Sequence, residues 1–131
     1  MAREIIHTDG APSSPLYAQG VRAGDTIHVS GMVGVDPATG QPAGSTIEEQ
    51  TRQAVANCAA VLAAGGASLD DVVEVGILLA DHEDFAAMNA AYAELFAVDP
   101  PTRYVAKLGV LVPGILVSVR MTASVAPVRA V

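Results

Sequence analysis

The sequence has a single cysteine, few charged residues and no long uninterrupted apolar run. One cysteine, Cys58, excludes an internal disulfide framework and a cysteine-rich zinc site. The longest apolar stretch, residues 105–119, is interrupted by Lys107, Pro113 and Ser118, so no segment is predicted to span a membrane. The first residues lack the apolar core of a signal peptide. We therefore expect a cytoplasmic protein without a membrane partner.

Basic residues are scarce as well. Seven Lys and Arg stand against 14 Asp and Glu, which gives a formal net charge of −7. An acidic surface repels phosphate backbones, and no basic run offsets this charge, so a nucleic-acid partner is not expected. Charged residues make up only 16% of the chain and hydrophobic residues 51%. A small apolar chain of this kind often covers part of its surface by forming a homo-oligomer.

The usual catalytic and cofactor motifs are absent from the sequence. It contains no Ser/His/Asp arrangement, no phosphate-binding loop and no GxGxxG pattern. His7, His28 and His82 lack the spacing of metal ligands, so we expect no metal site. Because no acid–base pair stands out, the site would suit an already activated substrate that reacts with water.

The order of predicted elements indicates one α+β domain covering residues 1–131. Residues 1–25 are predicted to be irregular, and strands and helices alternate after them. The predicted strands cover residues 26–30, with 33–35 as a candidate extension, and residues 72–80, 102–110 and 115–125. The predicted helices cover residues 46–64 and 81–96. This order predicts a mixed β-sheet with two helices packed on one face.

Two strands carry informative patterns. The near-continuous apolar character of residues 72–80 indicates burial on both faces of the sheet. The last strand alternates between apolar and polar side chains, and the polar set is Ser118, Arg120 and Thr122. So regular a polar face predicts either a subunit interface or a binding site. Cys58 falls on the apolar face of the first helix, which indicates a buried thiol.

Two arginines are candidates for binding an anion. Arg103 follows a stiff proline pair at a strand start, and its planar guanidinium suits either a carboxylate ligand or an ion pair with an acidic residue. Arg120 lies in the middle of a strand among apolar neighbours, where an arginine needs a partner. It is compatible with an interface salt bridge or with a second contact to an anionic ligand.

Four uncharged residues complete the candidates from the residue pattern. Tyr17 lies in an irregular segment and either covers a cleft or anchors a loop. Ser30 and Gly31 close the strand predicted at 26–30. The backbone N–H there either faces a ligand, because glycine has no side chain to block its approach, or belongs to a simple turn. Asn89 lies near the apolar face of the second helix, and its amide needs partners if it is buried.

Several segments, in order, resemble the RidA (YjgF) family from residue 11 to about 125. These segments are PLYAQG at 15–20, VSGMVGVDPATG at 29–40, the helix with Gln50, Ala54 and Asn57, DFAAMNAAY at 84–92 and PTR at 101–103. The resemblance implies a chorismate-mutase-like fold and a homotrimer whose sheets form a barrel, with sites in the clefts between subunits. It implies hydrolysis of reactive enamines and imines, such as 2-aminoacrylate, to 2-keto acids and ammonia without a cofactor.

The resemblance also assigns roles to residues. Arg103 would be the catalytic arginine that binds the substrate carboxylate, and Tyr17 would cover the pocket. Ser30, Gly31 and Asn89 would line or support it.

The chain departs from the family pattern at two positions. It has Val105 where the best-known deaminases carry a cysteine, and Ser118-Val-Arg120 where they carry a glutamate pattern in the last strand. Because that glutamate helps to place the attacking water, the departure bears on the deaminase rate. Val105 and Arg120 are accordingly taken as substrate-binding candidates. A larger or dianionic acid is a further hypothesis, motivated by Arg103, Arg120 and Lys107.

Four functional hypotheses follow. We favour an enamine/imine deaminase, and the alternative is a non-catalytic trimer that binds a small acidic metabolite. Ribonuclease activity, a label that some relatives carry, is disfavoured by the net charge of −7. Deamination specialised for one pathway would differ from the first hypothesis only in its substrate.

Overall fold

Six strands form one mixed sheet in this computed structural model, which describes residues 2–125. The elements are β1 (Glu4–Ile6), β2 (Gly20–Ala23), β3 (Thr26–Val33), α1 (Ile47–Ala64), β4 (Val72–Leu79), α2 (Phe85–Leu95), β5 (Thr102–Lys107) and β6 (Val117–Ser124). The strand order across the sheet is β1-β2-β3-β6-β4-β5. β4 and β5 pair in parallel, while the other neighbouring strands pair antiparallel.

Both helices lie on one face of the sheet, as the sequence predicts. α1 packs on β3 and β6, and α2 packs against α1. The strand side chains under the helices are fully or almost fully buried, and they include Val75, Ile77, Val117, Val119 and Met121. We call the opposite face, which no helix of the described chain covers, the open face. Its central residues are Glu74, Gly76 and Leu78 of β4, Tyr104 of β5, and Ser118, Arg120 and Thr122 of β6.

The local sequence explains α1 well. Thr46 is the N-cap, and its hydroxyl accepts a hydrogen bond from the backbone N–H of Glu49. The Glu49 carboxylate in turn accepts a hydrogen bond from the backbone N–H of Thr46, which completes a capping box. The helix ends at Gly65, so the predicted bounds are close to those observed. Cys58 is buried, as expected, and burial raises the pKa of its thiol to about 12. The thiol therefore stays protonated at neutral pH and serves as a packing group.

Other predicted elements need correction. Residues 1–25 are not all irregular, because β1 and β2 form a short hairpin-like pair whose three- and four-residue strands carry too little pattern to detect. The predicted strand at 72–80 is not buried on both faces, since Val73 is 49% exposed and Glu74 also faces solvent. The predicted helix at 81–96 begins at Phe85, after a short 3₁₀ turn capped by Asp81. The predicted strands at 102–110 and 115–125 are shorter, as β5 ends at Lys107 and β6 covers Val117–Ser124.

Buried amide side chains of α1 hold the neighbouring loops against this framework. Gln50 of α1 donates to the carbonyls of Gly44 and Gly114, at 3.0 and 2.8 Å, and accepts from the N–H of Leu116 at 2.8 Å. Asn57 donates to the carbonyls of Val33, the last residue of β3, and of Val35. Buried backbone groups need partners, so these amides fix loops that carry no regular structure. No helix among residues 2–125 is long and apolar enough to cross a bilayer.

The Gln50 contacts make a testable prediction about stability. Gln50→Met keeps the volume of the side chain but leaves two carbonyls and one N–H without their partner. We expect the free energy of unfolding to fall by about 3 kcal/mol, measured by urea denaturation. Gln41→Met, on an exposed side chain, is the matched control and should change stability little. Equal stability of the two variants would contradict the role given to Gln50.

Candidate active site

Arg103 lies on the helix side of β5, at its edge of the sheet. β5 pairs with β4 so that Arg103 stands opposite Val75, a core residue. Its Nη1 donates to Oδ1 of Asn89 at 2.8 Å, and its guanidinium carbon lies 4.8 Å from the centre of the Tyr92 ring. Among the described residues no carboxylate lies within ion-pair distance of Arg103. The guanidinium is therefore held in place while its charge stays available to an anionic ligand.

Tyr92 provides the surface under Arg103. The side chain is only 7% exposed and packs on Phe96, with the ring centres 4.8 Å apart. Burial raises the pKa of Tyr92, and the nearby Arg103 charge lowers it in part. The Tyr92 hydroxyl is buried without a hydrogen-bond partner in the described structure. The contribution of Tyr92 to the site thus comes from its ring, whose face attracts a cation.

A cleft of about 550 Å³ lies beyond Arg103 and Asn89 along β5 and α2, and neither of these two residues forms part of its wall. It lies between the ends of β4 and β5 and the start of α2, and Val105 contributes to its wall. Leu79 and Phe85 add apolar surface, whereas Asp81, His82 and Lys107 add polar groups. Val105 follows Arg103 by two residues on the same face of β5. Phe85 precedes Asn89 by one turn of α2, so the cleft begins where the Arg103–Asn89 pair ends.

Tyr17, Ser30 and Gly31 form a second group, around an irregularity in β3. The pairing of β3 with β6 shifts register between Val29 and Met32, which frees Ser30 and Gly31 from the regular ladder. The Ser30 hydroxyl donates to the carbonyl of Ala18 at 2.6 Å, and the Ser30 N–H donates to that of Gln19 at 2.9 Å. These bonds fix the loop that presents Tyr17, which is 49% exposed.

Gln19 organises this loop, although the sequence analysis did not single it out as a functional residue. Its side chain is buried and bonds to Thr8 and to the carbonyls of Ala11 and Pro12. On the other side of Ser30, a Cβ on Gly31 would come within 3.0 Å of the Ser118 hydroxyl. Gly31 therefore leaves open a small surface above Ser118. In the sequence, the feature that could have pointed to Gln19 is its position directly before β2. In the structure, the backbone carbonyl of Gln19 also accepts a hydrogen bond from the Ser30 N–H.

Arg120 lies on the open face of β6. Its guanidinium donates to Oε1 of Glu74 at 3.0 Å and to the Thr122 hydroxyl at 2.9 Å. Partial burial lowers the pKa of Arg120, but the hydrogen bonds to Glu74 and Tyr104 outweigh it and raise the pKa. The sequence left open an interface salt bridge or a second contact to an anionic ligand, whereas the described chain shows a different partner, Glu74 of the same subunit.

Arg103 and Arg120 do not share a pocket within one chain. Gly76 of β4 stands between Arg120 and Tyr104 in the register, so these two side chains share the open face. Arg103 directly precedes Tyr104 and points to the opposite face. The hypothesis of a dianionic ligand requires Arg120 beside the Arg103 guanidinium, and a single subunit does not place it there. Of the two other basic residues in that hypothesis, Lys107 lies on the same face as Arg103.

The two groups of candidate residues are also apart. β6 and β4 lie between β3 and β5, which puts about 14 Å of sheet between the Ser30–Gly31 segment and Arg103. The structure brings together Arg103, Asn89 and Val105, and separately Tyr17, Ser30 and Gly31. Within residues 2–125 no group of three or more His, Cys, Asp or Glu side chains is arranged to hold a metal ion.

Comparison with known proteins identifies the class. The family model described as endoribonuclease L-PSP matches residues 8–125. A RutC family protein of Saccharolobus solfataricus is 41% identical over 123 residues, which are 92% of this chain and 97% of the relative. The 2-iminobutanoate/2-iminopropanoate deaminase of Capra hircus is 36% identical over 115 residues, which are 87% of this chain and 84% of the relative.

A solved structure agrees in fold. Escherichia coli TdcF with bound serine superposes with a TM-score of 0.86 at 29% identity, covering 92% of this chain and 98% of the other. The chain is thus an α+β protein of the L-PSP type. It belongs to the endoribonuclease L-PSP family, which is the RidA (YjgF) family expected from its motifs.

The contact between Arg103 and Tyr92 makes a prediction about carboxylate binding. Tyr92→Leu keeps an apolar side chain but removes the ring under the guanidinium, so we expect pyruvate to bind about three- to tenfold more weakly. Tyr92→Phe removes only the unpaired hydroxyl and should bind pyruvate like the wild type. Isothermal titration calorimetry measures both. Unchanged affinity in folded Tyr92→Leu would contradict the proposed support of Arg103 by the ring.

Proposed function

We propose that the protein is an enamine/imine deaminase that converts small 2-imino acids to 2-keto acids and ammonia. Arg103 binds the substrate carboxylate, in a cleft that a second copy of the chain completes. The observation that carries this proposal is the unpaired Arg103 guanidinium, held by Asn89 and Tyr92 beside a cleft. Relatives named 2-iminobutanoate/2-iminopropanoate deaminase support imine deamination at modest identity.

The chemistry asks little of the protein beyond binding and orientation. Water adds to the C=N carbon, the resulting carbinolamine expels ammonia, and a C=O bond replaces the C=N bond. The guanidinium neutralises the carboxylate and fixes the imine carbon relative to the attacking water. Because a protonated imine is already electrophilic, a strong general base is not required. This fits a cleft whose titratable lining, Asp81, His82 and Lys107, lies at its outer end.

A second copy of the chain would complete the site. The Tyr17–Ser30–Gly31 group is too far from Arg103 in one chain to touch the same small molecule. Exposed apolar groups on or near the open face, such as Val73 and Tyr104, favour self-association of that face. We propose a homotrimer in which the three sheets form a barrel. Tyr17, Ser30 and Gly31 of one copy would then face Arg103 of the next.

The departures from the family pattern affect the rate more than the binding. Glu74 neutralises Arg120, so the charge of Arg120 does not oppose the carboxylate site. Val105 contributes an apolar wall in place of the cysteine. Ser118 lies under Gly31, and its hydroxyl can hydrogen-bond a water molecule but is too weak a base to deprotonate it. We therefore expect a deaminase that binds carboxylates normally and turns over slowly.

One alternative keeps the same site without turnover. The absence of the last-strand glutamate, at the position where this chain has Ser118, favours a trimer that binds a small acidic metabolite. The endoribonuclease in the name of the family does not suit this chain, because a net charge of −7 repels RNA.

A coupled assay tests the deaminase. A pyridoxal-phosphate lyase generates 2-aminoacrylate in solution, and pyruvate and the remaining enamine are followed with and without this protein. We expect the wild type to accelerate decay and Arg103→Ala to lower kcat/KM at least about a hundredfold, since the charge-assisted contact to the substrate carboxylate is lost. Arg52→Ala, which removes a surface ion pair with Glu94, is the control and should behave like the wild type.

The outcomes separate the two functions. No acceleration by the wild type, together with pyruvate binding that Arg103→Ala abolishes, would favour the binding protein. Acceleration that survives Arg103→Ala would contradict the assigned role of Arg103.

A further inference from the structure

In the single subunit the cleft beside Val105 is open to solvent and has room for more than a small imine. Its volume is about 550 Å³, whereas the substrates named for the goat relative carry only a methyl or an ethyl side chain. On the Arg103 side its surface is apolar, from Val105 and Phe85, whereas Leu79 pairs with Lys107 at the other end. Phe85 is 45% exposed, so much of its ring faces the cleft and solvent instead of the core. A buried substrate group would therefore remove apolar protein surface from water.

The position of the cleft relative to Arg103 sets where a substrate side chain goes. Arg103 and Val105 are next neighbours on one face of β5, about 6.6 Å apart along the strand. Asn89 and Phe85 are one turn apart on α2, about 6 Å along its axis. The space between Val105 and Phe85 is therefore the apolar surface within reach of the β- and γ-carbons of an acid whose carboxylate is bound at the Arg103–Asn89 pair.

The charges at the outer end do not favour a second carboxylate. Lys107 shares the face of Arg103 and Val105, but Asp81 and His82 line the same end. The Asp81 carboxylate lies 3.9 Å from the His82 ring nitrogen and opposes the Lys107 charge. Arg120, the other cation considered, lies on the open face and is paired with Glu74. The cleft is thus apolar where a side chain would lie and electrically balanced beyond it.

We infer that the substrate of this site is a 2-imino acid with an apolar side chain larger than ethyl, either branched aliphatic or aromatic. This inference rests on the proposed function, because it takes the substrate carboxylate to be bound at Arg103. The side chain lies between Val105 and Phe85. Each methylene buried there raises affinity about fourfold.

A series of 2-keto acids tests the inference without requiring turnover, because they have the carboxylate and side chain of the substrate but no imine. Pyruvate, 2-oxobutanoate, 2-oxopentanoate, 2-oxohexanoate and 4-methyl-2-oxopentanoate are titrated calorimetrically, with 2-oxoglutarate as the dicarboxylate. We expect Kd to fall along the apolar series and 2-oxoglutarate to bind more weakly than 2-oxohexanoate. Equal Kd values, or tightest binding of 2-oxoglutarate, would overturn the inference and leave the carboxylate site intact. No binding of any 2-keto acid would overturn the proposed function as well.

Variants locate the effect. Phe85→Ala removes one wall of the cleft, and we expect it to reduce the chain-length gradient while pyruvate binding remains. Ile5→Ala, on another exposed apolar side chain, in β1 at the far edge of the sheet, is the control. A gradient that is the same in Phe85→Ala and wild type would overturn the placement of the side chain beside Phe85.

Discussion

The alternation of side chains along β5 and β6 determines which residues of this protein can meet. On β6 it sends Val117, Val119 and Met121 into the core, so Arg120 must lie on the open face. On β5, which pairs with the same neighbour, it places Arg103 against α2. A shift of β6 by one residue would exchange its faces, expose its core residues and move Arg120, and the same shift of β5 would move Arg103 away from α2. The position of Arg103, the proposed carboxylate-binding group, is therefore tied to the strand pairing that buries the core.

α2 and the loops hold the candidate site residues in fixed positions on this sheet. α2 presents Asn89 and Tyr92 to Arg103, three residues apart on one helix face, and thereby fixes a long flexible side chain. Buried amides do the same for the irregular segments, where Gln19 holds the loop carrying Tyr17. A preorganised guanidinium loses less conformational freedom when it binds an anion. This compensates for a cleft that lacks a strong acid or base near the reacting atoms.

The sequence predicted those features that depend on local pattern. The capping box and apolar spacing of α1 and the alternation in β6 are visible in the residues themselves, and the family motifs pointed to Arg103 and Asn89. Features that depend on pairing between distant segments were not visible. β1 and β2 are too short to show a period, and the partner of Arg120 is Glu74, 46 residues away on another strand. Tyr92 is buried, and its contact with Arg103 depends on the packing of α2 against β5, which the local pattern does not show.

The central claim is that two separated groups of one chain form a single site between copies. A mixing experiment tests it directly. Arg103→Ala removes one group, Gly31→Leu blocks the other, and each variant alone should be inactive as a deaminase. Co-expressed in equal amounts, they should recover about one quarter of wild-type activity, because in random trimers one interface in four pairs an intact Arg103 with an intact Gly31. No recovery in verified mixed oligomers would contradict a site shared between copies.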